Sequence, residues 1–148
     1  MAAMSNYLEN KLVDHLFRGV ALAYTAPTTL YVALYTNVTA PNDAGGGTEI
    51  TGNSYARAIV NSAPGAWKNT QADGTTNAST GTTGVTSNNN IISFPSPTGA
   101  WGTVTHFGIL NAASGGDLLF HGALTVPQIV NTANTVSFSV GSLQITFA

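Results

Sequence analysis

His106, His121 and Asp117 are the one grouping in this 148-residue chain whose residue types resemble a chemical site. Imidazole and carboxylate ligands together suit zinc or non-haem iron. A metal requires all of them at one point. The stretch that carries them, WGTVTHFGILNAASGGDLLFHGAL (residues 101–124), reads as a β-hairpin. VTHFGIL is rich in β-branched and aromatic residues, NAASGG supplies turn chemistry, and DLLFHGAL returns. The histidines then sit on adjacent strands, while Asp117 lies near the turn, roughly 13 Å away at the rise of a strand. One carboxylate at that distance does not complete their coordination. The expectation is a stacked or hydrogen-bonded His pair at a packing or subunit contact, with no metal. Protonating both would set like charges together, so assembly is expected to be weaker near about pH 5 than about pH 7.5.

Other chemistries find less support. The chain has no Gly-x-Ser-x-Gly elbow, and its only glutamates, Glu9 and Glu49, are not paired for acid–base work. The loop NVTAPNDAGGGTE ends in three glycines but lacks the lysine and following helix of a phosphate loop. Tyr31, Tyr35, Tyr55, Trp67 and Trp101 could line a sugar site, although such residues more often fill cores or interfaces. No catalytic residue, no cofactor and no enzyme activity are expected.

The elements around the hairpin follow from periodicity. A turn symmetric about Ala113 and Ser114 puts Phe107 opposite Phe120 and Ile109 opposite Leu118, forming with Thr105 and Leu124 one apolar surface. The other face carries His106, Leu119 and His121. Residues 5–18 read as a helix: Ser5 caps it, Glu9 sits early, Lys11 and Arg18 sit late, and Gly19 ends it. Leu8, Leu12, His15 and Leu16 recur at helical spacing, with Val13 and Phe17 widening the stripe. This helix is expected to cover one end of a β core, the alternative being an arm docked on a neighbouring subunit. TLYVALYT (29–36) alternates with apolar or aromatic side chains on both faces, as in a central strand or an interface strand.

Residues 49–60 read as a strand interrupted near Gly52 and Asn53. Arg57 there pairs with Glu49 or Asp43, or lies on an exposed edge. Residues 69–89 are rich in Thr, Asn and Gly, with Val85 the only large apolar residue, and read as a protruding loop. IISF (91–94), TVSFSV (135–140) and LQITF (143–147) read as strands, the last two joined as a tight hairpin by Gly141 and Ser142. About seven or eight short strands with turn signals between them imply an all-β fold, a β-sandwich or jelly-roll with a short N-terminal helix. Residues 1–148 are expected to form a single β domain, with residues 1–19 as its helical arm.

Composition narrows the partners. Only 7% of residues are charged and the formal net charge is −2, with the four basic residues scattered, so no phosphate-neutralising patch exists and nucleic acid is not an expected partner. There is no cysteine, hence no thiolate metal site or disulfide. No apolar run approaches the ~20 residues of a membrane span, and the N-terminus lacks a signal-peptide pattern. A chain made in the cytoplasm and packed against copies of itself or another protein fits so uncharged a surface.

The segments SNYLENKLVDHLFRG, TLYVALYT, GGGTEITGNSYARAIV and WGTVTHFGILNAASGGDLLFHGAL together resemble a family of tailed-bacteriophage virion proteins described as tail-fibre-like, some of them similar to capsid decoration (cement) proteins. The Thr/Asn-rich stretch at 69–89 looks longer than the family pattern. The resemblance implies a β-sandwich or jelly-roll subunit on the particle and brings no catalytic residues. The expected role is capsid decoration on the outer surface of the phage head, bridging neighbouring capsomers. The major capsid protein and the chain itself are the expected partners, a homotrimer being preferred over a dimer. The alternative is a tail-fibre or collar adhesion module that binds host glycans. Expected interface residues are Leu12, Leu16, Tyr31, Tyr35, His106, Leu119 and His121.

Overall fold

The computed structural model describes residues 2–22 and 25–147, so Met1 of the expected N-terminal arm lies outside the described residues. A short strand β1 (Ala3–Met4) leads into helix α1 (Asn6–Phe17). Ser5 has extended backbone and its hydroxyl accepts the Leu8 N–H, as an N-cap should. At the other end Arg18 donates its N–H to the Asp14 carbonyl, and Gly19, at φ 64°, takes the left-handed conformation that stops the helix. Leu8 is the helix's buried residue. No helix among the described residues is long and apolar enough to cross a membrane.

The remaining elements are strands: β2 (Thr29–Thr36), β3 (Ala58–Asn61), β4 (Val85–Ser87), β5 (Ile92–Ser93), β6 (Gly102–Leu110), β7 (Leu118–Val130), β8 (Ser137–Phe138) and β9 (Gln144–Thr146). With β1, four of them form one antiparallel sheet in the order β1-β7-β6-β2-β3, while β4 pairs with β9 and β5 with β8 in two short ladders. Pairing of Leu34 with Phe107 and of Val32 with Ile109 aligns apolar residues across the central strands on one face. That face meets Ile92, Phe94, Leu143 and Ile145 from the ladders and their flanks in a single apolar cluster. The result is an all-β sandwich with a short N-terminal helix.

The hairpin register differs from the symmetric one expected. Ile109 faces Phe120, and Phe107 faces Gly122. Between Ile109 and Leu110 the β6 strand advances one residue while β7 advances two, from Phe120 to Leu118. Leu119 is therefore the extra residue of a β-bulge. The bulge turns Leu118 away from the main core, into a second cluster with Ala33, Tyr35 and Leu110. It also gives the Phe107 ring room: a Cβ on Gly122 would come within 3.1 Å of that ring. The turn is closed by Asn111 and Asp117, each hydrogen-bonding the other: Asn111 Nδ2 donates to Asp117 Oδ2 at 2.9 Å, and the Asp117 N–H donates to Asn111 Oδ1 at 2.7 Å.

Two further expectations are corrected. The runs at 135–140 and 143–147 do not pair as a hairpin, because β8 and β9 each join a different partner. Residues 85–87, assigned from composition to the protruding loop, form β4. The rest of that stretch folds on itself through polar contacts. Gln71 Nε2 donates to the Ala78 carbonyl at 3.0 Å and to Thr80 Oγ1 at 2.7 Å, and the Gly81 N–H donates to Thr70 Oγ1 at 2.9 Å.

Candidate functional site

The face of the sheet opposite the main core carries the two histidines. His106 faces Tyr35 across β2 and Ala123 across β7, and His121 faces Gly108, so the imidazoles are diagonal neighbours. Asp117 is not with them, since the Asn111 turn holds it. The carboxylate that reaches the pair is Asp43, from the loop after β2, with Oδ1 2.9 Å from His121 Nε2. The same residue's carbonyl accepts the Asn6 N–H at 2.8 Å, and His121 pairs with Ala3 of β1. His121 and Asp43 thus tie the N-terminal strand and the start of α1 to β7. His106 Nδ1 lies 2.8 Å from Thr105 Oγ1. Burial, then the neighbouring His121, holds the His106 imidazole below its ordinary pKa, because a second positive charge there is poorly solvated and repelled. No group of three His, Asp, Glu or Cys side chains among the described residues is placed to hold a metal ion.

The strongest polar constellation lies nearby and centres on Arg57. Its Nε and Nη2 donate to the two oxygens of Glu49 at 2.8 and 2.7 Å, a bidentate pair. Its Nη1 donates to the carbonyls of Ala112 and Gly115 at 2.7 and 2.8 Å. The Tyr55 hydroxyl donates to Glu49 at 3.1 Å and accepts the Leu34 N–H at 2.9 Å. The Arg57 side chain is 8% exposed. The Glu49 hydrogen bond raises the guanidinium's pKa further, and burial pushes both Tyr55 and Tyr35 up. Every arm of this network ends on the chain itself. It is a clamp fastening the β6–β7 turn to the loop before β3. Of the three readings for Arg57, pairing with Glu49 is the one observed.

The expected interface residues separate into two groups. Tyr35 and Leu119 are 3% and 2% exposed, which removes them from the subunit surface. A Cβ on Gly108 would lie 2.9 Å from the Tyr35 ring and one on Gly47 2.8 Å from it, so backbone closes over Tyr35 from two sides. Leu119 is held inside by the bulge. Tyr31, His106, His121 and Leu12 are half-buried, and Leu16 is exposed. Tyr31 pairs across the sheet with Ile59, itself 68% exposed. Sequence reasoning missed Asn88, which is fully buried. Its Nδ2 donates to the carbonyls of Asn90 and Ser139, both at 2.8 Å, and its Oδ1 accepts the Leu143 N–H at 2.9 Å. Nothing marks that asparagine among its neighbours Asn89 and Asn90.

With the fold and these contacts in place, comparison with known proteins gives one family. The family model described as Podophage GP4 fiber I protein gp80 matches residues 3–146. No curated protein matches the chain.

Proposed function

From the premise that this chain belongs to the podophage GP4 fiber I protein family, a family of tailed-phage virion proteins, we propose that it is a structural subunit of a virion fibre that assembles with further copies of itself. The match over residues 3–146 carries the reading, because it spans the sheet, both ladders and the helix together. The family description moves the weight from capsid decoration, the role expected from sequence, to the fibre.

The geometry agrees with a mechanical role. The Glu49–Arg57 clamp, through its bonds to the β6–β7 turn, and the His121–Asp43 pair connect segments distant in sequence. In this reading the polar side chains hold loops in place and perform no reaction. A subunit of this kind transmits load through its sheet and passes it on through contacts with neighbouring subunits.

Immunogold labelling or an asymmetric virion reconstruction tests the assignment. Density for this fold in a few copies on the fibres is the expected result. Many copies spread over the head would overturn it in favour of capsid decoration, with the major capsid protein as partner.

A further inference from the structure

The two layers of the sandwich close along one flank and stay apart along the other. On the closed flank β3 lies beside β5, and the Lys68 N–H reaches the Ser87 carbonyl at 2.8 Å, covering the outer edge of β4. On the open flank β7 has β1 beside it only at Phe120 and His121, and β9 has β4 on one side and no described strand on the other. A cleft of about 660 Å³ opens between them and reaches Val104, Phe107 and Leu143 of the core.

The two free edges differ. Between the pairs Val104–Gln128 and His106–Ala123, β6 advances two residues and β7 five, so β7 bulges there, and the bulge carries Pro127. Bulges and prolines protect an exposed edge from further pairing. The edge of β9 has neither. The Phe147 N–H donates to the Gly84 carbonyl at 2.8 Å and the Asn88 N–H to the Leu143 carbonyl at 3.2 Å. By the alternation of an antiparallel ladder, the backbone N–H and C=O groups of Gln144 and Thr146 therefore point away from β4, on the side of the cleft that both residues line.

We propose that this open flank is where a second copy of the chain joins, its β9 pairing antiparallel with β9 across a two-fold axis. The inference rests on the self-assembling subunit proposed above and assigns its contact. A bare strand edge accepts another extended backbone, because its donors and acceptors are directional and spaced to match one. Here they match themselves. Reversed about Ile145, Gln144 of each copy meets Thr146 of the other, and every outward N–H finds a carbonyl. Charge points the same way. The chain's four basic and six acidic residues all precede Leu118, and no charged side chain among the described residues lines the cleft. The flank therefore holds nothing to repel its own copy and nothing to pair with an acidic or basic partner. Val126 and Ile129, 62% and 68% exposed on β7, border the same cleft, where the joining copy covers them.

Sedimentation velocity and hydrogen exchange of the purified chain, across a micromolar concentration series, test this. The Gln144 and Thr146 amides should gain protection as the chain associates and lose it on dilution. Gln144→Pro removes an N–H that β4 does not use, so the variant should keep the wild-type circular dichroism while association weakens roughly tenfold or more. Val126→Lys, at an exposed position, should weaken association as well, since each copy then brings a like charge to the contact. If Gln144→Pro loses the wild-type circular dichroism, Val126→Lys and the exchange of the wild type decide. An oligomer that persists in Val126→Lys, with the Gln144 and Thr146 amides exchanging freely, overturns the flank as the contact and leaves self-assembly standing. A monomeric wild type overturns both. Protection of the two amides that does not change with concentration also overturns the proposal, because the chain's own backbone then occupies the edge.

Discussion

The five-stranded sheet and the flank made of residues 66–93 and 137–147 solve the same problem, satisfying buried backbone, in different ways. In the sheet the central strands β2, β6 and β7 run 8, 9 and 13 residues, the ladder pairs their backbone groups, and the residues facing the core are apolar. Val32, Leu34, Val104 and Ile109 are each 2% exposed or less. In the flank, β4, β5, β8 and β9 are only two or three residues long. Side-chain amides there do what a longer ladder would do. Asn88 joins three backbone groups, and Asn69 Oδ1 accepts the N–H groups of Gln71 and Asp73 at 3.1 and 3.2 Å. The sheet is held by burial of surface and the flank by directed polar contacts. The two should therefore fail differently.

The largest expected effect is in the sheet. Phe107 is 6% exposed, lies over Gly122 and meets the Phe138 ring edge-on with centroids 6.1 Å apart. Phe107→Ala leaves a cavity between the two layers and should lower stability by about 3–5 kcal/mol, enough to leave a domain of ordinary stability barely folded. Urea denaturation followed by fluorescence measures it. A loss below about 1 kcal/mol would show that the layers close over the gap and that the sheet does not depend on this packing.

Asn88→Ala is the matching perturbation of the flank. It strips the acceptor from the buried Leu143 N–H and the donor from the half-buried Ser139 and Asn90 carbonyls. The expected cost is about 1–3 kcal/mol, because the Leu143 N–H, left unpaired in the interior, pays its desolvation penalty. Hydrogen exchange separates the regions: the Leu143 amide should lose protection in this variant while the amides of β2 and β6 keep theirs. Equal loss in both would mean that sheet and flank open as one unit, and the contrast between them would collapse.

The same contrast explains what the sequence made legible. The sheet strands β2 and β6, helix α1 with its Ser5 cap, and the apolar partnership of Phe107 with Ile109 all follow from period-2 or helical patterning, which burial enforces. Of the two-residue error in register, one residue lies in the turn, where Leu110 faces Leu118, and one in the bulge at Leu119, whose neighbours are leucine and phenylalanine, so no change of composition marks it. Around residues 135–147 the alternating pattern was real, and Leu143 and Ile145 are buried. Their strand partners, however, are β5 and β4, distant in sequence, and Asn88 bridges Ser139 and Leu143 at the two ends of a turn that the Ser142 N–H closes on the Ser139 carbonyl. Amide hydrogen bonds leave no periodicity to read. The candidate site divides likewise. The histidines were placed correctly on one face, but Asp43 arrives from a loop whose path is fixed by tertiary contacts.

The smallest expected effect belongs to that face of the sheet and concerns pH. The groups facing His106 are His121, with Asp43 beyond it, Tyr35 across β2 and Thr105 beside it. Burial first and His121 second lower the His106 pKa in the folded chain from its ordinary 6.5. Below 6.5 the unfolded chain then binds more protons at this residue than the folded one, so stability falls with pH through that window and is complete above it. The loss is modest because His106 is partly open to solvent, which screens the repulsion. Asp73 in the flank works in another range: Thr75 holds its carboxyl below the ordinary 3.8, so its contribution is lost only at lower pH. Urea midpoints at about pH 7.5 and 5 should therefore differ, with the lower midpoint at the acid end, and His106→Asn should flatten the difference. An acid midpoint equal to or above the neutral one would place the histidine pair outside the balance that stabilises the sheet. A slope unchanged by His106→Asn would move the titrating group elsewhere.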